Sequence, residues 1–199
     1  MHEDSFLTGH LDMSRVTAAG FSLGAYAVLA LAGAVTSHRQ FQRWMAETRI
    51  SGGGPREMPD AASHIPELMR SSFAFRRSWT SEGRDLRDHR IRAVAAIAPP
   101  PPVRAFTAAS LTSVSLPAAL LIGEADREAP TGACARWLTA QNSAFRLHSL
   151  GAEVGHYTFL DQPADHDAQA GNPVFTDAPS VSRAEVHAAT ADLVAGILA

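Results

Sequence analysis

Lysine is absent from all 199 residues, and the 17 basic side chains are every one arginine. Because arginine and lysine solvate a surface equally well and differ chiefly in pairing geometry, this reads as a bias of genome composition rather than a functional device. Charge of either sign is also scarce. Twenty acids against 17 arginines leave a formal net charge of −3, too little to recruit nucleic acid or an acidic surface. A small, neutral or weakly polar ligand fits that balance, and no nucleic-acid partner is expected. Cysteine is limited to Cys134, which excludes an internal disulfide framework and any thiol-based metal spacing; it is expected to be a small buried hydrophobe. No stretch approaches the ~18 uninterrupted apolar residues of a membrane span. The opening MHEDSFLTGHLD lacks a basic region followed by an apolar one. The expectation is a chain with neither export signal nor membrane span, cytoplasmic as it stands, with a longer exported precursor left open.

What the chain does hold is apolar: 46% of its residues are hydrophobic, enough for one sizeable core and a single domain over 1–199. Val16 to Phe21 is a short apolar run, and Leu23 to Ala34 is rich in helix-forming Leu, Ala and Val. Together they read as strand, tight turn, helix. Residues 38–90 change character, with ten arginines, seven acids, Gly52-Gly53-Gly54 and the aromatics Phe41, Trp44, Phe73, Phe75 and Trp79 in short amphipathic pieces. This segment is expected to be a helical cap inserted into the domain. Apolar runs resume at Ile91–Ile97, which Pro99 to Pro102 must end because proline cannot donate to a ladder. They recur at Ala118–Ile122 and at 145–150. A helix is expected from about Thr131, with its hydroxyl as N-cap. A last helix is expected from Ser182, with Glu185 completing a capping box and Val186, Leu193, Val194 and Ile197 as its apolar stripe. Strands that are apolar throughout, alternating with helices, indicate an α/β fold: a mostly parallel sheet covered by helices on both faces.

The chemistry starts at Gly20-Phe21-Ser22-Leu23-Gly24, a G-x-S-x-G where a strand is expected to meet a helix. A serine held on so sharp a turn needs residues without side chains two positions to either side, so that strand and helix can approach; Gly20 and Gly24 stand there. The Leu23 N–H, in the first turn of the helix, is aimed where an oxyanion would form. A serine hydroxyl at neutral pH needs a histidine to take its proton and a carboxylate to orient that histidine. Of nine histidines, His156 lies in a short loop just past a strand, whereas His148 falls inside a strand and His187 on the final helix. Asp126 follows the third strand in G-E-A-D-R-E-A-P, near the sheet edge where open α/β folds bind ligands. Glu124 and Glu128 are its nearby alternatives. The order Ser, Asp, His suits an α/β-hydrolase and differs from the chymotrypsin and subtilisin orders.

With G-F-S-L-G, L-L-I-G-E-A-D-R-E-A-P and G-H-Y-T-F-L in place, the chain resembles the α/β-hydrolase superfamily over residues 10–199. Within it the chain is most similar to the dienelactone hydrolase and bacterial platelet-activating-factor acetylhydrolase-like group. The resemblance implies hydrolysis of a small-molecule carboxylic ester through an acyl-enzyme, with no cofactor. Dienelactone hydrolases proper use a cysteine where this chain has Ser22, which argues against that particular activity. Such proteins carry on the order of a hundred residues before the nucleophile, forming the first strands and the loop that donates a second oxyanion N–H. Here 21 residues precede Ser22. The expectation is therefore an N-terminally shortened sheet, its first strand exposing an unpaired edge, and either a truncated product or a missing side supplied by a second chain or a homodimer. A catalytically incompetent subunit serving binding or assembly is the competing reading.

Blander readings win elsewhere. Gly52-Gly53-Gly54 follows no strand and lacks a Gly-Lys-Ser/Thr ending, so it is a hinge rather than a phosphate loop. Asp161, Asp165, His166 and Asp167 lack regular ligand spacing and read as a solvated loop, leaving no metal site expected. Phe21 and Tyr157, beside the nucleophile and the base, are candidates for lining the acyl pocket.

Overall fold

The structure is a computed structural model that describes residues 9–48, 60–162, 172 and 174–197. Four parallel strands form its sheet: β1 (Val16–Phe21), β2 (Ile91–Ile97), β3 (Ala118–Ile122) and β4 (Phe145–Ser149), in the spatial order β1-β2-β3-β4. The central strands β2 and β3 are buried on both faces, whereas the edge strands β1 and β4 are half-buried. Val94, Ala96, Leu120, Ile122 and Phe145 face one layer, and Ala95, Ala119 and Leu121 face the other. That two-sided burial is why β2 and β3 do not alternate with polar residues; the apolar run expected at 145–150 is corrected, because β4 at the sheet edge alternates Phe145 and Leu147 with Arg146 and His148.

Because spatial order equals chain order, every crossover steps in the same direction across the sheet. Right-handed crossovers then place the intervening helices on one face. Helices α1 (Leu23–Leu31), α5 (Ala108–Thr112) and α6 (Ala135–Gln141) all contribute to the larger core layer through Val28, Leu29, Leu111, Ala135 and Leu138. The opposite face receives α7 (Arg183–Gly196), whose Leu193 and Val194 pack on Leu121 and its neighbours together with Ile197 just beyond the helix. The α/β architecture expected from the pattern is present, with its helical layers unequal. None of the described helices is long and apolar enough to cross a membrane.

Three helices lie within residues 38–90: α2 (His38–Thr48), α3 (Ile65–Ser71) and α4 (Phe73–Trp79). α2 packs on the 3-10 turn Pro101–Ala105 that follows β2. Its Trp44 is buried there, and the Arg104 guanidinium lies between the Trp44 and Trp137 rings, 5.3 and 4.2 Å from their centroids. Gln40 fastens the same turn by donating to the carbonyls of Arg104 and Phe106. The Gly52-Gly53-Gly54 hinge lies outside the described residues, as do Asp165, His166 and Asp167.

Two expectations need correction. The helix expected from Thr131 begins at Ala135, with Cys134 in the N-cap position; Thr131 Oγ1 is buried without a hydrogen-bond partner instead of capping. Residues 131–134 are spent on turns that drop the chain onto the core, and burial of Thr131 removes its hydroxyl from the helix end. The helix expected over 23–34 ends at Leu31, where Gly33 at φ 111° reverses the chain. At the far end, the Ser182 hydroxyl does accept from Glu185 N–H at 3.3 Å.

Among the described residues β1 pairs with β2 alone, so its other edge carries no ladder partner.

Candidate active site

Ser22 sits between β1 and α1 with φ 52° and ψ −118°, a conformation that L-residues avoid. Backbone hydrogen bonds hold it there from both sides. Ser22 N–H extends the β1–β2 ladder by donating to Ile97 O at 2.9 Å, and Ser22 O accepts from Ala25 N–H at 2.8 Å as α1 begins. The two glycines expected to permit this turn divide in role. A Cβ on Gly20 would fall within van der Waals contact of the Gly24 carbonyl and 3.0 Å from Ala25 N, whereas a Cβ on Gly24 would meet open space. The close approach of strand and helix thus rests on Gly20, and Gly24 is not required by sterics.

His156 begins a 3-10 turn, His156–Phe159, in the connection after β4. β4 stands three strands from β1, about 14 Å at the usual spacing, so that connection has to cross the C-terminal edge of the sheet to bring the imidazole to Ser22. Gly123, at the end of β3, makes the crossing possible. A Cβ there would lie 2.6 Å from the carbonyl carbon of Val154. With no side chain in the way, Glu124 and Ala125 donate their N–H groups to Gly151 O and Val154 O, both at 3.1 Å. Sequence reasoning passed over Gly123, because the atoms that require a glycine there belong to Val154, far along the chain.

The crossing closes a chain of three side chains. His156 Nε2 lies 3.0 Å from Ser22 Oγ, and His156 Nδ1 lies 2.7 Å from Asp126 Oδ2. Asp126 is tied down through its other oxygen, which accepts from Ala129 N–H at 2.7 Å. A carboxylate can only accept, so the proton belongs on Nδ1 and Nε2 is left to accept from the serine hydroxyl. His156 and Asp126 are 7% and 6% exposed, and in such surroundings an ion pair formed with a protonated imidazole is weakly screened. Of the three acids weighed from the sequence, Asp126 reaches the histidine, while Glu124 pairs with Arg136 at 3.2 Å. His148 lies in β4 and His187 in α7.

Aromatic rings brace the imidazole. Phe21 packs at 4.8 Å between centroids and Tyr157 meets it edge-on at 5.2 Å. Tyr157 is buried, so it offers a ligand little surface; Phe21 is half-buried. Cys134 is no rival nucleophile: burial pushes its thiol up to about 12, Asp126 adds to the rise, and nearby Arg104 offsets it only in part. Among the described residues no three His, Cys, Asp or Glu side chains gather as a metal-ligating group.

This geometry lets a hydroxyl lose its proton to a neutral imidazole as its oxygen attacks an electrophile, with the resulting imidazolium stabilised by a buried carboxylate. No protein family's sequence profile matches the chain. No curated protein matches it either. Among solved structures it is similar to a crystal structure of a hydrolase from Pseudomonas aeruginosa PA01, at 18% identity and a TM-score of 0.32, over 76% of this chain and 61% of that one. The chain thus spans about three fifths of that protein's length.

Proposed function

We propose that this protein is a serine hydrolase that cleaves carboxylic esters of small or medium acyl chain. The observation that carries the reading is the linked pair of contacts, Ser22 Oγ to His156 Nε2 at 3.0 Å and His156 Nδ1 to Asp126 Oδ2 at 2.7 Å, built on a strained turn. In the proposed reaction Ser22 Oγ attacks the ester carbonyl carbon while its proton passes to His156 Nε2. The tetrahedral oxyanion takes a hydrogen bond from Leu23 N–H, which at the first helical position has no intrahelical acceptor. Collapse of that intermediate breaks the ester C–O bond, and the imidazolium protonates the departing alkoxide. Water then attacks the acyl-Ser22 carbonyl while His156 takes its proton; the acyl C–Oγ bond breaks, the imidazolium returns the proton to Ser22 Oγ, and the carboxylic acid leaves.

The weak overall charge supports an uncharged ester over a polyanion. The resemblance of the Ser22, Asp126 and His156 motifs to α/β-hydrolases, and to the dienelactone hydrolase and acetylhydrolase-like group within them, supports an acyl-enzyme route. Phe21, half-buried against the imidazole, is proposed to touch the acyl group.

The test is covalent labelling with a fluorophosphonate probe, which reports an activated serine whatever the substrate, on the wild type and on Ser22→Ala. Labelling lost in the variant, followed by turnover that depends on acyl length across a series of p-nitrophenyl esters, is the expected result. A folded wild-type chain that does not label would refute it. The open edge of β1 supports a second reading, a subunit whose site is completed by another chain paired against that strand. Under that reading the monomeric chain stays unlabelled, and labelling appears only in material that sediments as a dimer or in complex.

A further inference from the structure

Outside the triad, Arg183 is a buried charge whose location α7 does not explain. It occupies the first position of that helix, where the macrodipole disfavours a cation, and burying a guanidinium is costly unless every donor finds a partner. Its donors are spent on other segments. Nε and Nη2 hold Asp177 in a fork, at 2.8 Å to Oδ2 and 3.2 Å to Oδ1. Nη1 donates to Leu160 O at 2.8 Å and Nη2 to Val174 O at 3.1 Å. The side chains of Arg183 and Asp177 are 8% and 13% exposed. Asp177 Oδ1 also accepts from the Thr158 hydroxyl at 2.7 Å, and that hydroxyl oxygen accepts from Gly155 N–H at 3.2 Å. From the next turn of α7, His187 Nε2 donates to Thr158 O at 2.9 Å.

Four of these bonds land on residues 155–160, the turn that carries His156, and the Arg183–Asp177 pair links two of them. The turn is fastened just before the histidine at Gly155, two residues after it at Thr158 and again at Leu160. A 3-10 turn of four residues has little rigidity of its own. The imidazole it presents has crossed the sheet to reach Ser22, so a small rotation of the turn would open the Ser22 contact first.

We propose that Arg183, Asp177 and Thr158 form a positioning clamp that sets His156 against Ser22 and Asp126. The clamp rests on the reading of His156 as the base. None of its members touches the reacting atoms. They act through the backbone of the turn, and Thr158 is the point at which the ion pair grips it.

Thr158→Val keeps the shape and removes the hydroxyl, Thr158→Ser keeps the hydroxyl, and Asp177→Asn leaves Thr158 and Arg183 one acceptor oxygen between them. Each is compared with wild type and Ser22→Ala in two measurements on the whole chain. Fluorophosphonate labelling is resolved into a maximal rate and a half-saturating probe concentration. Proton NMR follows the low-field imidazole N–H that His156 gives to Asp126, assigned by its loss in His156→Gln. A displaced base is expected to lower the maximal rate of Thr158→Val by about 10², with half-saturation unchanged and the low-field signal broadened. Thr158→Ser should restore both, and Asp177→Asn should fall between, which keeps the test alive if the valine variant does not fold. A valine variant with wild-type rate and an unchanged signal would overturn the clamp. If the wild type fails to label while the low-field signal still depends on the Thr158 hydroxyl, the clamp stands and the hydrolase reading falls. If the wild type fails to label and the signal is indifferent to Thr158, both fall.

Discussion

Substituting alanine at Gly20 and, separately, at Gly24 perturbs the same turn by one methyl group each time, and the structure assigns the two changes opposite outcomes. At Gly20 the new Cβ would press on the carbonyl of Gly24 and the nitrogen of Ala25. These are backbone atoms, so no rotamer change relieves the contact, and β1 and α1 would have to separate by about 1 Å to restore an ordinary carbon contact. Overpacking in cores that yield through side chains costs about 1–3 kcal/mol. With backbone on both sides the cost belongs at the upper end, about 3 kcal/mol, which for a chain of this size lowers the melting temperature by roughly 6–12 °C. The same displacement carries Ser22 away from His156 and should slow fluorophosphonate labelling by about 10². At Gly24 a methyl group meets nothing within 4 Å and replaces a poor helix former inside α1, for a gain of up to about 1 kcal/mol and unchanged labelling. Urea unfolding followed by circular dichroism, with labelling on the same samples, measures both. A Gly20→Ala protein that unfolds at the wild-type midpoint and labels at the wild-type rate would show that the strand and helix do not approach as described.

Gly123→Ala should lift the connection from Gly151 to Val154 off the end of β3, costing about 1–3 kcal/mol in urea unfolding and a disproportionate loss of labelling. Asp126→Asn would turn its amide oxygen to Ala129 N–H and its nitrogen to His156, forcing the proton onto Nε2. Labelling should drop by about 10⁴ while the circular dichroism spectrum stays native. For Asp177, burial pushes the carboxyl up, but the hydrogen bonds from Arg183 and Thr158 outweigh burial and hold it below its ordinary value. Its stabilisation is therefore complete above the unfolded carboxyl value, near 3.9, and is lost as pH falls through the lower folded one. Asp177→Asn should be less stable than wild type at pH 7 and should lose less on acidification, which unfolding midpoints between pH 7 and pH 3 will show; parallel profiles would contradict the ion pair.

The sheet was legible chiefly through its centre, where β3 is an uninterrupted apolar run ended by Gly123 and β2 carries a single charge, Arg92, before Pro99; the edge strands are more mixed, β4 alternating Phe145, Arg146, Leu147 and His148. Ser22 was legible through its pentapeptide, and Asp126 and His156 through their places after successive strands. What remained hidden depends on contacts between segments far apart in the chain. No local spacing signals that Gly123 lies beneath Val154, or that Arg183 reaches Asp177, Leu160 and Val174 at once. Gly24 was over-read, since the pentapeptide treats both glycines alike and only the backbone geometry separates them. Thr131 failed as a cap because a hydroxyl can cap only where the helix begins within its reach, and the chain spends three more residues turning first.

The sequential strand order has a consequence for how the molecule is assembled. Val94 pairs with Ala118 and Ala118 with Phe145, separations of 24 and 27 residues, whereas Val16 pairs with Ile91 across 75. Closing the longer loop costs about 0.9 kcal/mol more than closing the 27-residue one by the logarithmic law, and non-local pairings form late in folding. The strands that lead to Asp126 and His156 can therefore zip together as a nucleus while β1 is still loose, so the Ser22 hydroxyl is delivered last to a waiting imidazole. Pulsed hydrogen exchange during refolding would record this as protection of β3 and β4 ahead of β1, and simultaneous protection would speak against it. A chain that matures in this order holds no organised Ser22–His156 pair until its final docking step, and under the proposed function its partly folded forms could not acylate themselves on the esters they meet.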